Sequence, residues 1–147
     1  MSNSNLIAVI LLGGKGKRMG NYTLNNHKSL LKVGNFNILS HLYTQLRILG
    51  IKEIVMCIGH FSLKIKKYVK NHIMDDSNRI LKIIKKKTNN NHVKVLFSYS
   101  NANSSTSKRL KKVKKIIKNR NIVLLYGDTL LKISKNNFKS NKKNINL

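Results

Sequence analysis

Leu6 to Gly20 reads LIAVILLGGKGKRMG. The apolar run from Leu6 to Leu12 has no polar alternation, which predicts a strand buried on both faces, as in a parallel sheet lying under helices. It stops at Gly13 and Gly14 and gives way to Lys15, Gly16, Lys17 and Arg18. Glycine has no Cβ and tolerates positive φ, so this backbone can lie close to a ligand. Its N–H groups, with Lys15, Lys17 and Arg18, suit an anion, and a phosphate chain is the natural candidate. The plain alternative is a glycine-rich turn on a basic surface. The abrupt change from buried strand to glycines and cations argues against it.

Two common phosphate loops do not fit. A P-loop needs four residues between its glycines and Ser or Thr after Gly-Lys, whereas Gly14-Lys15 is followed by Gly16. A dinucleotide fingerprint needs G-x-G-x-x-G. Gly14 and Gly16 match, but Met19 holds the third position and Gly20 comes one residue late. No acid closes the next predicted strand, near Cys57, to hold a ribose.

At 147 residues the chain reads as one domain with room for a real core. Thirty Lys and Arg against four acids give a net charge of +26, which attracts polyanions such as nucleotides and nucleic acid. The lysines are spread along the chain, and the heavy use of Lys, Asn and Ile without any proline also matches the residue choice of an AT-rich genome. A single cysteine excludes an internal disulfide and points to a reducing, cytoplasmic setting. The polar start MSNSN and the short apolar run after it suit neither a membrane span nor a signal peptide, so no membrane partner is expected.

Taken in order, residues 21–29 (NYTLNNHKS) form a polar loop, long for a strand-to-helix link. Residues 30–33 form a short extended piece that turns at Gly34. Ile38, Leu39, Leu42, Leu46 and Leu49 fall at helical spacing, with Gly50 where a helix stops, and His41 on that helix reads as a packing residue. Residues 51–58 predict a second buried strand, with Glu53 as a surface residue beside Lys52. Residues 62–73 predict a second helix. Residues 74–92 stay open, with 79–87 readable as a strand or a basic helix. VKVLFSY, 93–99, alternates and predicts a third strand. After a polar loop at 100–107, KRLKKVKKIIK at 108–118 predicts a basic amphipathic helix with Leu110, Val113, Ile116 and Ile117 on one face. Such a helix suits an anionic surface, but the spacing favours a core helix with a solvated lysine face. NIVLLY, 121–126, predicts a fourth buried strand, ending in Gly127-Asp128. An acid just past the carboxyl end of a buried parallel strand lies where open α/β sheets bind ligands and suits Mg²⁺ beside phosphate oxygens. The alternative is an Asp that caps a turn. The Lys- and Asn-rich end, 136–147, reads as a disordered tail.

These segments together resemble the sugar-1-phosphate nucleotidyltransferases. Their signature, a first strand ending in L-x-G-G-x-G-x-R, stands here as Leu11-Leu12-Gly13-Gly14-Lys15-Gly16-Lys17-Arg18. Their Pro-Lys-Pro-hydrophobic motif corresponds to His27-Lys28-Ser29-Leu30, with the lysine kept and both prolines gone. Ser104 to Val113 followed by Tyr126-Gly127-Asp128 resembles the glucose-1-phosphate cytidylyltransferase branch, T-x-T-G-G-R-L-K-R-V and then Y-G-D-G. Ser104, Thr106 and Arg109 to Val113 match; the G-G pair has become Ser107-Lys108, which bears on base selectivity.

The resemblance implies an α/β fold, a Rossmann-like three-layer sandwich with a mostly parallel sheet. Residues 1–135 would be the N-terminal nucleotide-binding domain of such an enzyme, truncated at its C-terminal side. It implies transfer of a nucleotidyl group from a nucleoside triphosphate, CTP favoured, to a sugar-1-phosphate such as glucose-1-phosphate, releasing pyrophosphate. Backbone groups of Leu12, Gly13 and Gly14 would meet the base and ribose, with Leu11 also at the nucleotide. Gly16, Lys17 and Arg18 would hold the triphosphate, with Lys15 also at the nucleotide and Arg18 and Lys28 as the catalytic cations. Ser104, Arg109 and Gly127 would contact the nucleotide, and Asp128 would hold Mg²⁺. Two other readings stay open: an inactive remnant that binds nucleotide without an acceptor site, and a nucleic-acid-binding module held by non-specific charge. A homo-oligomer also stays open.

Overall fold

A computed structural model describes residues 5–74 and 93–130 of the chain. Its centre is a four-stranded sheet of β1 (Leu6–Leu12), β4 (Glu53–Ile58), β5 (Lys94–Tyr99) and β6 (Asn121–Tyr126). The spatial order is β5-β4-β1-β6, and every neighbouring pair is parallel. A separate two-stranded antiparallel hairpin, β2 (Lys32–Val33) and β3 (Phe36–Asn37), lies between β1 and the first helix.

The unbroken apolar run of β1 has a direct cause. Ala8, Ile10 and Leu12 belong to one core layer, and Ile7, Val9 and Leu11 to the other. A strand covered on both faces has no polar side to display. The first layer is filled from α1 (Ile38–Ile48) and α2 (Ser62–Tyr68), through Leu39, Leu42, Leu46 and Ile65. The second is filled from α3 (Thr106–Ile117), through Val113 and Ile117. The result is a three-layer α/β sandwich on a parallel sheet, as the sequence predicts.

Helix ends follow local chemistry. At the end of α1, the Gly50 N–H donates to the Arg47 carbonyl and the Ile51 N–H to the Leu46 carbonyl. With Gly50 at φ 80°, this is a Schellman stop, and a glycine there avoids the cost of a left-handed side-chain residue. Ser105 caps α3, its Oγ accepting from the Lys108 N–H at 3.3 Å. The predicted second helix is α2 followed by a wider π turn over Val69–Ile73.

Three readings need correcting. Residues 121–126 are not a buried strand: β6 ends the sheet order, and Ile122, Leu124 and Tyr126 are exposed while Leu125 faces the core. Glu53 is not a free surface residue: it accepts from Arg120 at 2.6 Å and lies 3.3 Å from the Lys94 ammonium. It therefore ties together β4, β5 and the turn into β6 at the amino edge of the sheet. On α3, the buried stripe is Arg109, Val113 and Ile117, at intervals of four, whereas Ile116 points outward. The open segment at 79–87 and the tail expected over 136–147 lie outside the described residues.

Candidate functional site

The loops after β1, β4 and β6 gather at the carboxyl edge of the sheet, where a parallel α/β sheet presents ligands. Leu11 and Leu12 are core residues, so only their backbones are available there. The Leu11 carbonyl accepts from the Gly127 N–H at 3.1 Å. That bond extends the β1–β6 ladder by one residue and places Asp128 just past the sheet edge.

The glycine segment then turns. Gly16 has φ 67°, a left-handed conformation that suits glycine. Its carbonyl accepts from the Met19 N–H at 2.9 Å and from Thr23 Oγ1 at 3.0 Å. The chain continues as a 3₁₀ segment, Lys17–Thr23. Gly14 and Lys15 are exposed. The side chains of Lys17 and Arg18 lie outside the described residues.

Lys28 opens a second short 3₁₀ turn, Lys28–Leu30, and its ammonium is ion-paired with Asp128 Oδ2. The two residues matched to the family's motifs from opposite ends of the chain therefore meet. Beside them His27 is buried. Its Nδ1 accepts from the Ser29 N–H at 3.2 Å and pairs with Ser29 Oγ at 2.8 Å, while its Nε2 has no partner at full hydrogen-bond geometry among the described residues. Burial first, then the nearby Lys28 and His60, lower its pKa to about 4; Asp128 and the Gly14 backbone pull the other way. His27 is thus a neutral ring wedged among Gly14, Lys28, His60 and Asp128. Sequence reasoning treated this position only as a lost proline. The available signal was a side chain able to cap the turn that carries Lys28.

Arg109 and Ser104 occupy different places. Ser104 sits in the turn before α3, its N–H donating to the Asn101 carbonyl at 2.9 Å. Arg109 is buried, its guanidinium bound to the carbonyls of Gly13, Ile58, Asn101 and Ala102. The structure thus gives the Arg109 side chain to the protein backbone.

Among the described residues the acids are Glu53, at the amino end of the sheet, and Asp128, at the carboxyl end. No group of three or more His, Cys, Asp or Glu that could hold a metal occurs among the described residues. A single carboxylate at a phosphate site suits Mg²⁺, which keeps several waters and takes one or two protein carboxylates beside substrate phosphates. No helix among the described residues is long and apolar enough to cross a membrane.

The nucleotidyl transferase family profile matches residues 7–145. The chain belongs to the nucleotidyl transferase family. It is 29% identical over 127 residues to glucose-1-phosphate cytidylyltransferase of Salmonella typhimurium, an alignment covering 82% of this chain and 49% of that protein. To the probable glucose-1-phosphate cytidylyltransferase of Bacillus subtilis it is 28% identical over 134 residues, 86% of this chain and 52% of that one. Among solved structures, a UDP-glucose pyrophosphorylase complexed with UDP-glucose superposes with a TM-score of 0.65 at 12% identity, over 83% of this chain and 45% of that one. A putative glucose-1-phosphate thymidylyltransferase from Bacillus anthracis gives 0.61 at 20% identity, over 84% and 44%. At those identities the two structures speak for the fold alone. The chain spans about half the length of the curated relatives it matches.

Proposed function

We propose that this chain binds a nucleoside triphosphate, CTP by preference, at the carboxyl edge of its sheet. There it carries the nucleotide half of a transfer to a sugar-1-phosphate such as glucose-1-phosphate. The observation that supports this most is the meeting of Lys28 and Asp128 beside the glycine loop that follows the central strand.

In this reading the backbone from Leu12 to Gly14, of which Gly14 is exposed, meets the base and ribose. Lys15, Gly16, Lys17 and Arg18 follow the triphosphate, with Arg18 nearest the charge that develops on reaction. Lys28 holds phosphate oxygens, while Ser104 and the backbone at Gly127 border the nucleotide. Asp128 is the residue that would hold Mg²⁺, which would neutralise phosphate charge when bound. The reaction is an in-line attack by a sugar-phosphate oxygen on the α-phosphorus, with the bond to pyrophosphate breaking. It needs no covalent nucleophile from the protein. The contribution of the chain is to align two anions and to place cations against the charge they share.

His27 supports this arrangement as a neutral group. A protonated imidazole beside Lys28 would add a second cation within the wall that positions it. Burial prevents that at neutral pH.

The test is calorimetric titration at physiological salt, with Mg²⁺, comparing CTP, UTP, ATP and dTTP on wild type and Asp128→Ala. Saturable binding with CTP tightest, weakened by the substitution, is the expected result and leads to a turnover assay with glucose-1-phosphate. Weak and equal binding of all four, abolished by salt, would overturn the reading.

A further inference from the structure

Arg109 carries a full charge at 4% exposure, and its charge is not met by a carboxylate among the described residues. Four backbone carbonyls receive it instead: those of Gly13 and Asn101 at 3.0 Å, Ala102 at 3.3 Å and Ile58 at 3.4 Å. Burying a guanidinium without an anion is costly, so each of these bonds has to be made. The planar fork of Arg spreads five donors over three nitrogens, whereas Lys offers three donors from a single point. One side chain on α3 thereby joins the end of β1, the end of β4 and the loop that follows β5.

Its fit against Gly13 is tight. A Cβ at Gly13 would lie 1.8 Å from Arg109 Nη1, and one at Gly59 would lie 2.8 Å from the same atom. The first glycine of the loop is therefore set by what packs over it, since the guanidinium occupies the space a side chain would need.

The consequence concerns the next residue. No cis peptide bond occurs among the described residues, and a trans peptide holds its C=O and N–H in one plane, pointing in opposite directions. With the Gly13 carbonyl drawn to Arg109, the Gly14 N–H is turned the other way. Gly14 is exposed, and a Cβ built there would meet nothing within 4 Å. No acceptor among the described residues takes its N–H.

We propose that Arg109 is a positioning residue that does not touch the nucleotide. By holding the Gly13 carbonyl it aims the Gly14 N–H at an acceptor atom of the nucleotide. The inference rests on the nucleotide reading above, and it reassigns the contact that the family resemblance gives to Arg109 itself.

The test uses the full chain with ¹⁵N and ¹³C labels. In the unliganded wild type, the Gly14 amide proton exchanges rapidly while the Arg109 guanidinium protons exchange slowly. Addition of CTP with Mg²⁺ shifts and protects the Gly14 amide. Arg109→Lys keeps the charge but loses the fork. It moves the Gly13 carbonyl and Gly14 amide resonances and weakens CTP binding at least tenfold, while Cys57, buried in the same layer, stays closed to a thiol reagent. Arg109→Gln behaves alike. A folded variant with unchanged Gly14 resonances, or with unchanged affinity, would overturn the proposal. If neither variant folds, the wild-type data decide: a protected Gly14 amide in the free protein, or one indifferent to CTP, rejects it. Failure of the wild type to bind any nucleotide would sink the nucleotide reading, and the free-state exchange of Gly14 would still decide whether Arg109 aims that amide outward.

Discussion

Lys28 donates to Asp128 across a hundred residues of sequence, and His27 beside the pair also meets the Gly14 backbone. Both side chains are partly open to solvent, at 21% and 34% exposure. A pair of this kind is worth little to the fold, on the order of 0 to 1 kcal/mol. Its position points to another use. A triphosphate arriving with Mg²⁺ offers an anion to Lys28 and a cation to Asp128, so the two partners have reasons to separate.

The first prediction follows. Lys28→Ala and Asp128→Ala should each change unfolding free energy by less than about 1 kcal/mol in urea titrations. Each should weaken nucleotide binding tenfold or more in calorimetry. A large loss of stability with unchanged affinity would make the pair a structural one.

His27 gives a pH dependence with a definite sign. Its folded pKa is lowered from 6.5 to about 4, so between those values the unfolded chain binds more protons than the folded one. The stabilisation is complete above 6.5 and is lost as pH falls through that window, on the order of 3 kcal/mol at its full extent. Urea unfolding of His27→Gln should show a flatter profile between pH 4 and 6.5 than the wild type. An equal slope in both would remove His27 from the argument.

At the opposite edge of the sheet, Glu53 is held below its ordinary pKa, first by its bond from Arg120 and then by Lys94, against the effect of burial. A depressed carboxylate pKa gives stability that is present above the unfolded pKa and is lost as pH drops below it. Glu53→Gln should cost about 1 kcal/mol at neutral pH and leave nucleotide affinity unchanged. A double-mutant cycle with Arg120→Ala measures the coupling. Zero coupling would show that the clamp is only geometric.

The basic helix supplies a contrast within one element. Val113 is fully buried, while Lys111 and Lys115 are exposed. Val113→Ala should cost about 2 kcal/mol, and Lys111→Gln or Lys115→Gln should stay within about 0.5 kcal/mol. Thermal unfolding of the three variants checks the order. Destabilisation by the lysine changes would mean that the charged face has a partner within the chain.

The layers were legible because apolar periodicity is a local signal. Leu6 to Leu12 lacks alternation because both faces are covered, and Gly50 marks a helix end because only one turn geometry fits there. The site was legible in part. Asp128 and Lys28 could be named from motif positions, but their contact is a property of the sheet, which brings the end of β6 beside β1. His27 and Arg109 were harder. Each is a polar residue buried by tertiary packing, and neither burial nor a guanidinium's choice of carbonyls is written in neighbouring residues. Glu53 misled for the same reason: beside Lys52 it looks solvated, while its partners, Lys94 and Arg120, are far along the chain.

The register of β1 sets conditions on how the chain is made. One edge of β1 pairs with β4, Leu12 opposite Ile58, but the other waits for β6, where Leu6 pairs with Asn121 and Leu11 with Tyr126. A ribosome delivers the central strand first and its last neighbour more than a hundred residues later. During that interval β1 has an apolar, hydrogen-bonding edge with no mate, the kind of surface that invites pairing between chains. Release of the nascent chain before β6 emerges would leave this edge open. Yield in a cell should then depend on translation pace and on holdase chaperones more strongly than the stability of the finished fold would suggest.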